Sequence, residues 1–224
     1  MGDHIICNGL VRSLLSRWGR VEVFAKEANH PRVSKMFSDC PRIGVIPVPN
    51  FDLGGEYISY VNDFARRLSH PNKFLRIGHD NVYHNNKGKN FDEVFYADAG
   101  VSFDRRWSAF HFPRNHEEER KVQQRLNPTG EPYIFVHDDP SRGFEFSPQN
   151  PLGLKIIKND PTINMFDMAG FLENAKEIHC MESSFRCLIE GLPEVKCPLY
   201  FYPKVRINTS LPAVSIGRKN WIVV

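Results

Sequence analysis

Ile178-His-Cys-Met-Glu-Ser-Ser-Phe185 runs a short apolar stretch into three polar residues and then into Phe185, Leu188 and Ile189 at helical spacing. That is the pattern of a buried strand turning directly into a helix. Tyr133-Ile-Phe-Val-His-Asp-Asp-Pro-Ser-Arg-Gly-Phe144 has the same shape, four apolar residues followed by a burst of polar ones as at a strand's C-terminal end. Around these two stretches the alternation continues. Strands are predicted at Tyr133–Val136, Leu154–Ile157, Glu177–Cys180 and Leu199–Tyr202, and helices at Asn164–Ala175 and Ser183–Glu190. Strands that alternate with helices predict an α/β fold, a parallel sheet with helices packed on its faces.

The first half repeats the alternation. Ile6, Leu10, Leu14 and Trp18 recur at four-residue spacing and predict one helix over Ile5–Trp18, with Gly2 and Asp3 at its start. A strand at Val21–Ala25, a helix at His30–Phe37, a strand at Ile43–Val48 and a helix at Glu56–Leu68 follow, then a further strand at Phe74–Gly78. Asn81–Asn90 is polar without periodicity and reads as a loop. An aromatic-rich stretch, Phe103–Phe112, is closed by Pro113, and a charged helix covers Glu117–Leu126 before the Asn127-Pro-Thr-Gly130 break. Two αβ series on either side of that break predict two lobes, residues 1–127 and 128–224, with a cleft between them. In open α/β sheets ligands bind at the C-terminal ends of strands.

Composition narrows the classes. A chain of 224 residues that is 41% hydrophobic and 25% charged is globular in type rather than disordered. No apolar run is long enough for a membrane span, and the start lacks a signal-peptide pattern. Five cysteines without a CxxC pair argue against a disulfide framework or a zinc knuckle and predict reduced thiols in a cytoplasmic protein. The charge of +3 is too mild and too mixed to predict nucleic-acid binding, although a local basic cleft for a diphosphate fits it.

Three patches carry candidate chemistry. At Gly2-Asp3-His4 a carboxylate at a helix start serves either as a general base facing a hydroxyl or as a helix cap. After Tyr133–Val136 the residues His137, Asp138, Asp139, Ser141 and Arg142 either grip a phosphate, Arg142 bidentately, or form a surface turn built on Asp-Pro-Ser. After Ile178 the hydroxyls of Ser183 and Ser184 either hold a diphosphate at the helix N-terminus, with Glu182 reaching a ribose or sugar hydroxyl, or Ser183 is an N-cap. His79, Asp80 and His84 form a poorer set, and no metal site is expected there. Neither a Walker loop, a GxSxG elbow nor a GxGxxG is present.

Taken in order, Gly2-Asp3-His4-Ile5-Ile6-Cys7-Asn8-Gly9-Leu10, the Arg142 loop and Glu182-Ser183-Ser184 resemble a reduced GT-B glycosyltransferase. The chain is similar to the heptosyltransferase-like families, with a weaker echo of the O-fucosyltransferase type. The resemblance implies two Rossmann-like lobes, an N-terminal acceptor-side lobe and a C-terminal lobe that binds the nucleotide sugar. It implies Asp3 as the catalytic base, with His4, His137, Asp138, Ser141, Arg142, Glu182, Ser183 and Ser184 as the substrate-binding set. Ser184 stands where those families usually have Gly, and Cys187 where they often have His. Because the sequence opens at the Gly-Asp turn, the N-terminal lobe is expected to be reduced and to lack its first strand.

The expected function is metal-independent, inverting transfer of a sugar from a nucleotide-diphosphate donor to an acceptor hydroxyl, without a further cofactor. The partners are then a nucleotide sugar and a carbohydrate or glycan acceptor, with a homodimer as one assembly. Two alternatives remain: a non-catalytic nucleotide-sugar or phospho-ligand binding protein, and a protein-interaction module built on Trp107, Phe110 and Phe112. Those aromatics equally suit a hinge between lobes. Finally, Ser215–Val224 ends in the β-prone run Trp221-Ile-Val-Val224 and is expected either to fill the open edge of the N-terminal sheet or to pair with a second chain.

Overall fold

A computed structural model of the chain describes residues 1–51, 54–67, 75, 77, 89–203 and 217–224. Contacts divide it into two units. One is built from Asp3–Pro113, and the other begins at Arg114 and takes in the last strand.

The first unit opens with two short helices, α1 (Gly2–Ile6) and α2 (Asn8–Leu14), in place of the single helix that the apolar stripe predicts. The break has a specific cause. The Tyr96 hydroxyl donates to the Ile6 carbonyl at 2.8 Å and accepts from the Leu10 amide at 3.1 Å, so it sits inside the hydrogen bond that would have joined the two helices. The stripe also ends early, at Leu14, and Trp18 is exposed.

Strand β1 (Val21–Lys26), helix α3 (His30–Phe37), strand β2 (Ile43–Val48) and helix α4 (Gly54–Arg67) follow. β1 and β2 pair in parallel, from Val21 opposite Ile43 to Lys26 opposite Val48, and Val33, Met36 and Phe37 of α3 are buried with Ala25 and Val48. Among the described residues this sheet has two strands. The strand predicted at Phe74–Gly78, apart from Leu75 and Ile77, lies outside the described residues, as do most of the Asn81–Asn90 loop and His79, Asp80 and His84.

Two further helices, α5 (Phe91–Asp98) and α6 (Arg105–Ser108), close the unit. α5 begins with a capping box in which the Asn90 amide donates to Glu93 at 2.8 Å. The aromatics considered as an interaction surface pack within this unit: Phe103 meets Trp107 edge-on at 4.9 Å, Phe110 meets Phe112 at 5.9 Å, and Phe112 is buried. Asn8, fully buried, pairs with the Phe110–Phe112 segment through both amide groups, accepting from the His111 amide and donating to its carbonyl, each at 2.9 Å.

α2 and α6 approach so closely that a Cβ on Gly9 would stand 2.0 Å from the Arg105 carbonyl oxygen, a backbone atom that cannot swing aside. Gly9→Ala is therefore expected to cost about 3 kcal/mol by overpacking, measured by urea unfolding. A loss under about 0.5 kcal/mol would mean that the two helices separate freely.

The second unit begins with α7 (His116–Leu126), whose N-cap Asn115 accepts from the Glu118 amide. Arg114 bridges Glu119 of this helix and Glu173 of α8 (Ala169–Glu173), which ties α7 to the second unit. In sequence the first unit gives way to the second at Pro113–Arg114, before α7.

Strands β3 (Tyr133–His137), β4 (Lys155–Lys158), β5 (Glu177–Met181), β6 (Leu199–Tyr202) and β7 (Trp221–Val223) form one wholly parallel sheet in the order β4-β3-β5-β6-β7. Helix α9 (Ser184–Gly191) follows β5 directly, and the predicted helix 164–175 resolves into a 3-10 turn, Met165–Met168, leading into α8. Phe135, Phe171 and Phe185 meet in the core beside fully buried Ile178 and Leu188.

The C-terminal run corrects an expectation. Trp221–Val223 pairs with β6 in the second unit's sheet, not with the first unit's. Buried Glu190 of α9 explains the choice: it accepts from the Trp221 indole and from the Arg218 amide at 3.0 Å. Gly217 makes the approach possible, with φ +89° and a position where a Cβ would meet the Glu190 carboxylate at 2.1 Å.

Candidate active site

The second unit's strand order reverses between β3 and β5. β4 follows β3 on one side, and the chain then crosses to the other side for β5, β6 and β7 in turn. A reversal of this kind opens a crevice at the carboxyl ends of the two strands, where open α/β sheets bind their ligands. His137, the last residue of β3, lies opposite Cys180 of β5, so the polar residues that follow both strands emerge at this crevice. Two distant stretches of sequence, His137–Arg142 and Glu182–Ser184, are thereby brought to one edge.

The β3 side is a structured turn. Asp139 and Phe144 exchange backbone hydrogen bonds of 2.8 and 3.0 Å around the 3-10 turn Pro140–Arg142, and Gly143 closes it at φ +75°, a left-handed conformation suited to glycine. The Ser141 hydroxyl donates to the Asp139 carboxylate. Asp138 is buried and accepts from Lys158 at the end of β4 at 2.6 Å, a bond that holds the Lys158 ammonium above the usual lysine range. Asp138 and Ser141 thus shape the loop. Arg142 ends the 3-10 turn, and its side chain lies outside the described residues. The His137 ring packs 4.4 Å from Phe185 in α9.

The β5 side is a helix start. Ser183 occupies the N-cap of α9 with extended backbone, φ −160° and ψ 175°, but its side chain makes no capping hydrogen bond. Its hydroxyl lies instead 3.6 Å from the Cys180 sulfur. The capping role weighed for Ser183 is therefore not exercised by its side chain. Cys180 is fully buried, and burial pushes its thiol up to about 12, against the Ser183 hydrogen bond and the charge of Arg186. It packs as a small hydrophobe.

Sequence reading missed Arg186. It lies in the first turn of α9, is 2% exposed, and sets its guanidinium 4.7 Å over the Phe201 ring of β6. A permanent cation at the positive end of a helix dipole adds to the positive potential there. The sequence carries no signal for it, because Arg186 stands one position off the Phe185, Leu188 and Ile189 stripe.

Asp3 and His4 belong to the first unit. Asp3 is exposed in the first turn of α1, where Met1 is the N-cap, and its carbonyl accepts from the Cys7 amide at 2.8 Å. Burial, and then the Met1 ammonium, hold His4 down to about 4 despite the pull of Asp3. Its ring is therefore neutral at pH 7 and offers hydrogen bonds rather than charge.

This has a stability consequence. The folded pKa lies below the ordinary histidine value, so the unfolded chain binds the proton more readily and stability falls as pH drops from about 6.5 to about 4. His4→Gln is expected to flatten that window by about 3 kcal/mol, from a shift of about two and a half pKa units at 1.36 kcal/mol each. Denaturant unfolding at pH 7 and pH 4 checks it, and identical slopes for the two proteins would refute it.

Among the described residues no group of three or more His, Cys, Asp or Glu side chains is placed to hold a metal ion, and no helix is long and apolar enough to cross a membrane.

No family model matches the chain, and no curated protein does. Solved structures do resemble it. The crystal structure of the glycosyl transferase family 9 from Veillonella parvula DSM 2008 matches with a TM-score of 0.59 at 13% identity, over 100% of this chain and 82% of that one. The structure of E. coli ADP-heptose lps heptosyltransferase II matches over 100% of this chain and 87% of its own, with a TM-score of 0.45 and 11% identity. At such identity the likeness is one of fold: this chain has an α/β fold with parallel sheets that resembles the family 9 glycosyl transferase structure.

Proposed function

We propose that this chain is a glycosyltransferase that moves a sugar from a nucleotide-diphosphate donor to an acceptor hydroxyl, inverting and without a metal ion, with the donor held by the second unit. The observation that carries the reading is the strand reversal between β3 and β5, which gathers the Arg142 turn and the Glu182-Ser183-Ser184 start of α9 at one crevice. The likeness in fold to a family 9 glycosyl transferase supports it.

In this reading the diphosphate lies against the first-turn amides of α9, where the helix dipole favours anions. Ser183 and Ser184 donate hydroxyls to it, and Arg142 and buried Arg186 supply positive charge. Glu182 accepts from a ribose or sugar hydroxyl. Asp3 takes the acceptor's proton as the acceptor oxygen attacks the anomeric carbon. The bond from that carbon to the diphosphate oxygen breaks, and the diphosphate leaves with the electron pair, stabilised by the same amides and cations that bound it. His4, neutral, orients the acceptor without adding charge beside the base.

Thermal shift with a panel of nucleotide sugars and nucleoside diphosphates, with and without Mg²⁺, tests the donor site. A ligand at 100 times its dissociation constant is expected to add about 2.7 kcal/mol, raising the melting temperature by about 5–10 °C for a protein of this size. No shift with any member of the panel would overturn the reading.

A further inference from the structure

Tyr202, the last residue of β6, joins Phe146 to His179. Its ring lies flat on Phe146 at 3.8 Å with 12° between planes. Its hydroxyl is 3.0 Å from His179 Nδ1, and His179 is buried, stacked on Tyr200 at 4.3 Å and 8°, with Nε2 3.3 Å from Glu177. The Glu177 carboxylate only accepts hydrogen bonds, so Nε2 carries the proton and Nδ1 accepts from the phenol. The phenol is thus aimed by a row running back to the start of β5, and the ring is held at a set angle.

Phe146 belongs to the connection between β3 and β4, yet its stacking partner is on β6, with β5 between β3 and β6. The chain from the Asp139–Phe144 bridge to Phe146 must therefore pass the carboxyl end of β5. There Met181, the register partner of Tyr202, precedes Glu182-Ser183-Ser184. A turn that returned straight from β3 to β4 would have no reason to reach β6. A stacked aromatic pair of this kind anchors a segment through its ring–ring geometry as well as its buried area.

We propose that Tyr202 is a positioning residue, which by its stack on Phe146 and its bond to His179 holds the Arg142 turn across the crevice between β3 and β5. The proposal rests on the donor-site reading above. It assigns to Tyr202 no contact with the reacting atoms. Its consequence is that the turn is set before the donor arrives, so the cost of ordering it is not charged to binding.

The test uses the full chain and Phe146→Ala, Tyr202→Ala and Tyr202→Phe, with UDP, GDP and ADP as probes. Two quantities are read: hydrogen exchange of the Asp139 and Phe144 amides without ligand, and the dissociation constant of whichever diphosphate the unaltered protein binds. Both alanine variants are expected to speed exchange at these two amides and to weaken the diphosphate by about tenfold, the factor that about 1.4 kcal/mol represents. Amides of β3 and β5 keep their protection. Tyr202→Phe, which keeps the ring and loses the phenol, should fall between.

An unaltered protein that binds none of the three probes and no other member of the nucleotide panel overturns the donor reading and this proposal with it. Binding that is equal in all variants, or unchanged exchange at Asp139 and Phe144, overturns the positioning role alone. Should Tyr202→Ala fail to fold, Phe146→Ala, at a half-exposed loop position, decides the matter.

Discussion

Replacing Asp92 with alanine is expected to destabilise the protein by about 4 kcal/mol, because it removes one partner of a buried ion pair. Asp92, in the first turn of α5, is fully buried, and Arg106 of α6 is 4% exposed; the two are in direct contact. Arg106 lies 5.2 Å over the Trp107 ring and 5.9 Å over Phe103, so two aromatic rings lie against the guanidinium. Without the carboxylate those rings offset only part of its desolvation. The pair itself is not an intrinsic gain, since taking both charges out of water costs about what their attraction returns. A double variant, Asp92→Leu with Arg106→Met, should therefore recover much of the loss. Urea unfolding of the single and double variants measures it. A loss under about 1 kcal/mol for Asp92→Ala would show that water reaches the pair.

That pair also shows where sequence reading stops. An Asp in a helix's first turn and an Arg in a short aromatic stretch look like two solvated residues, and only the packing of α5 against α6 buries them together. α5 itself was legible in principle: Asn90 and Glu93 stand at capping-box spacing before an apolar run. The polar loop before it and the aromatic stretch after it mask that signal. By contrast, His30–Phe37, Ile43–Val48 and Leu199–Tyr202 have the bounds read from the sequence. In these segments local pattern and tertiary packing agree.

Other departures trace to single side chains far away in sequence. The break at Cys7 depends on a hydroxyl from Tyr96, and the place of the last strand depends on a carboxylate from Glu190. Neither leaves a trace in the segment it alters. Within the candidate site, the residue types after β3 and β5 were readable because strand-to-loop transitions concentrate polar groups. Which of them face inward was not. Asp138 turns to Lys158 and Ser141 to Asp139, a choice made by β4 and by the turn itself. Arg186 escaped notice because a buried guanidinium is invisible without the Phe201 ring beneath it.

The second large effect concerns the proposed base. If Asp3 takes the acceptor's proton, Asp3→Asn should lower kcat by about a thousandfold, within the range that general-base catalysis supplies and equal to about 4 kcal/mol of transition-state stabilisation. The substitution is well suited to the question. Asp3 is exposed and Met1, not Asp3, is the N-cap of α1, so an isosteric change there, which removes one first-turn charge, should alter stability by about 1 kcal/mol at most. Donor affinity, which the second unit supplies in this reading, should stay the same. The decisive comparison is therefore kcat against the donor's dissociation constant in one preparation, with the melting temperature as the control for folding. A fall in kcat at constant donor affinity and constant melting temperature assigns the proton transfer to Asp3. Turnover equal to that of the unaltered protein removes it from the mechanism. An unaltered protein that binds the donor and turns nothing over makes the chain a nucleotide-sugar binding protein, in which the Arg142 turn and the start of α9 keep their role and Asp3 has none.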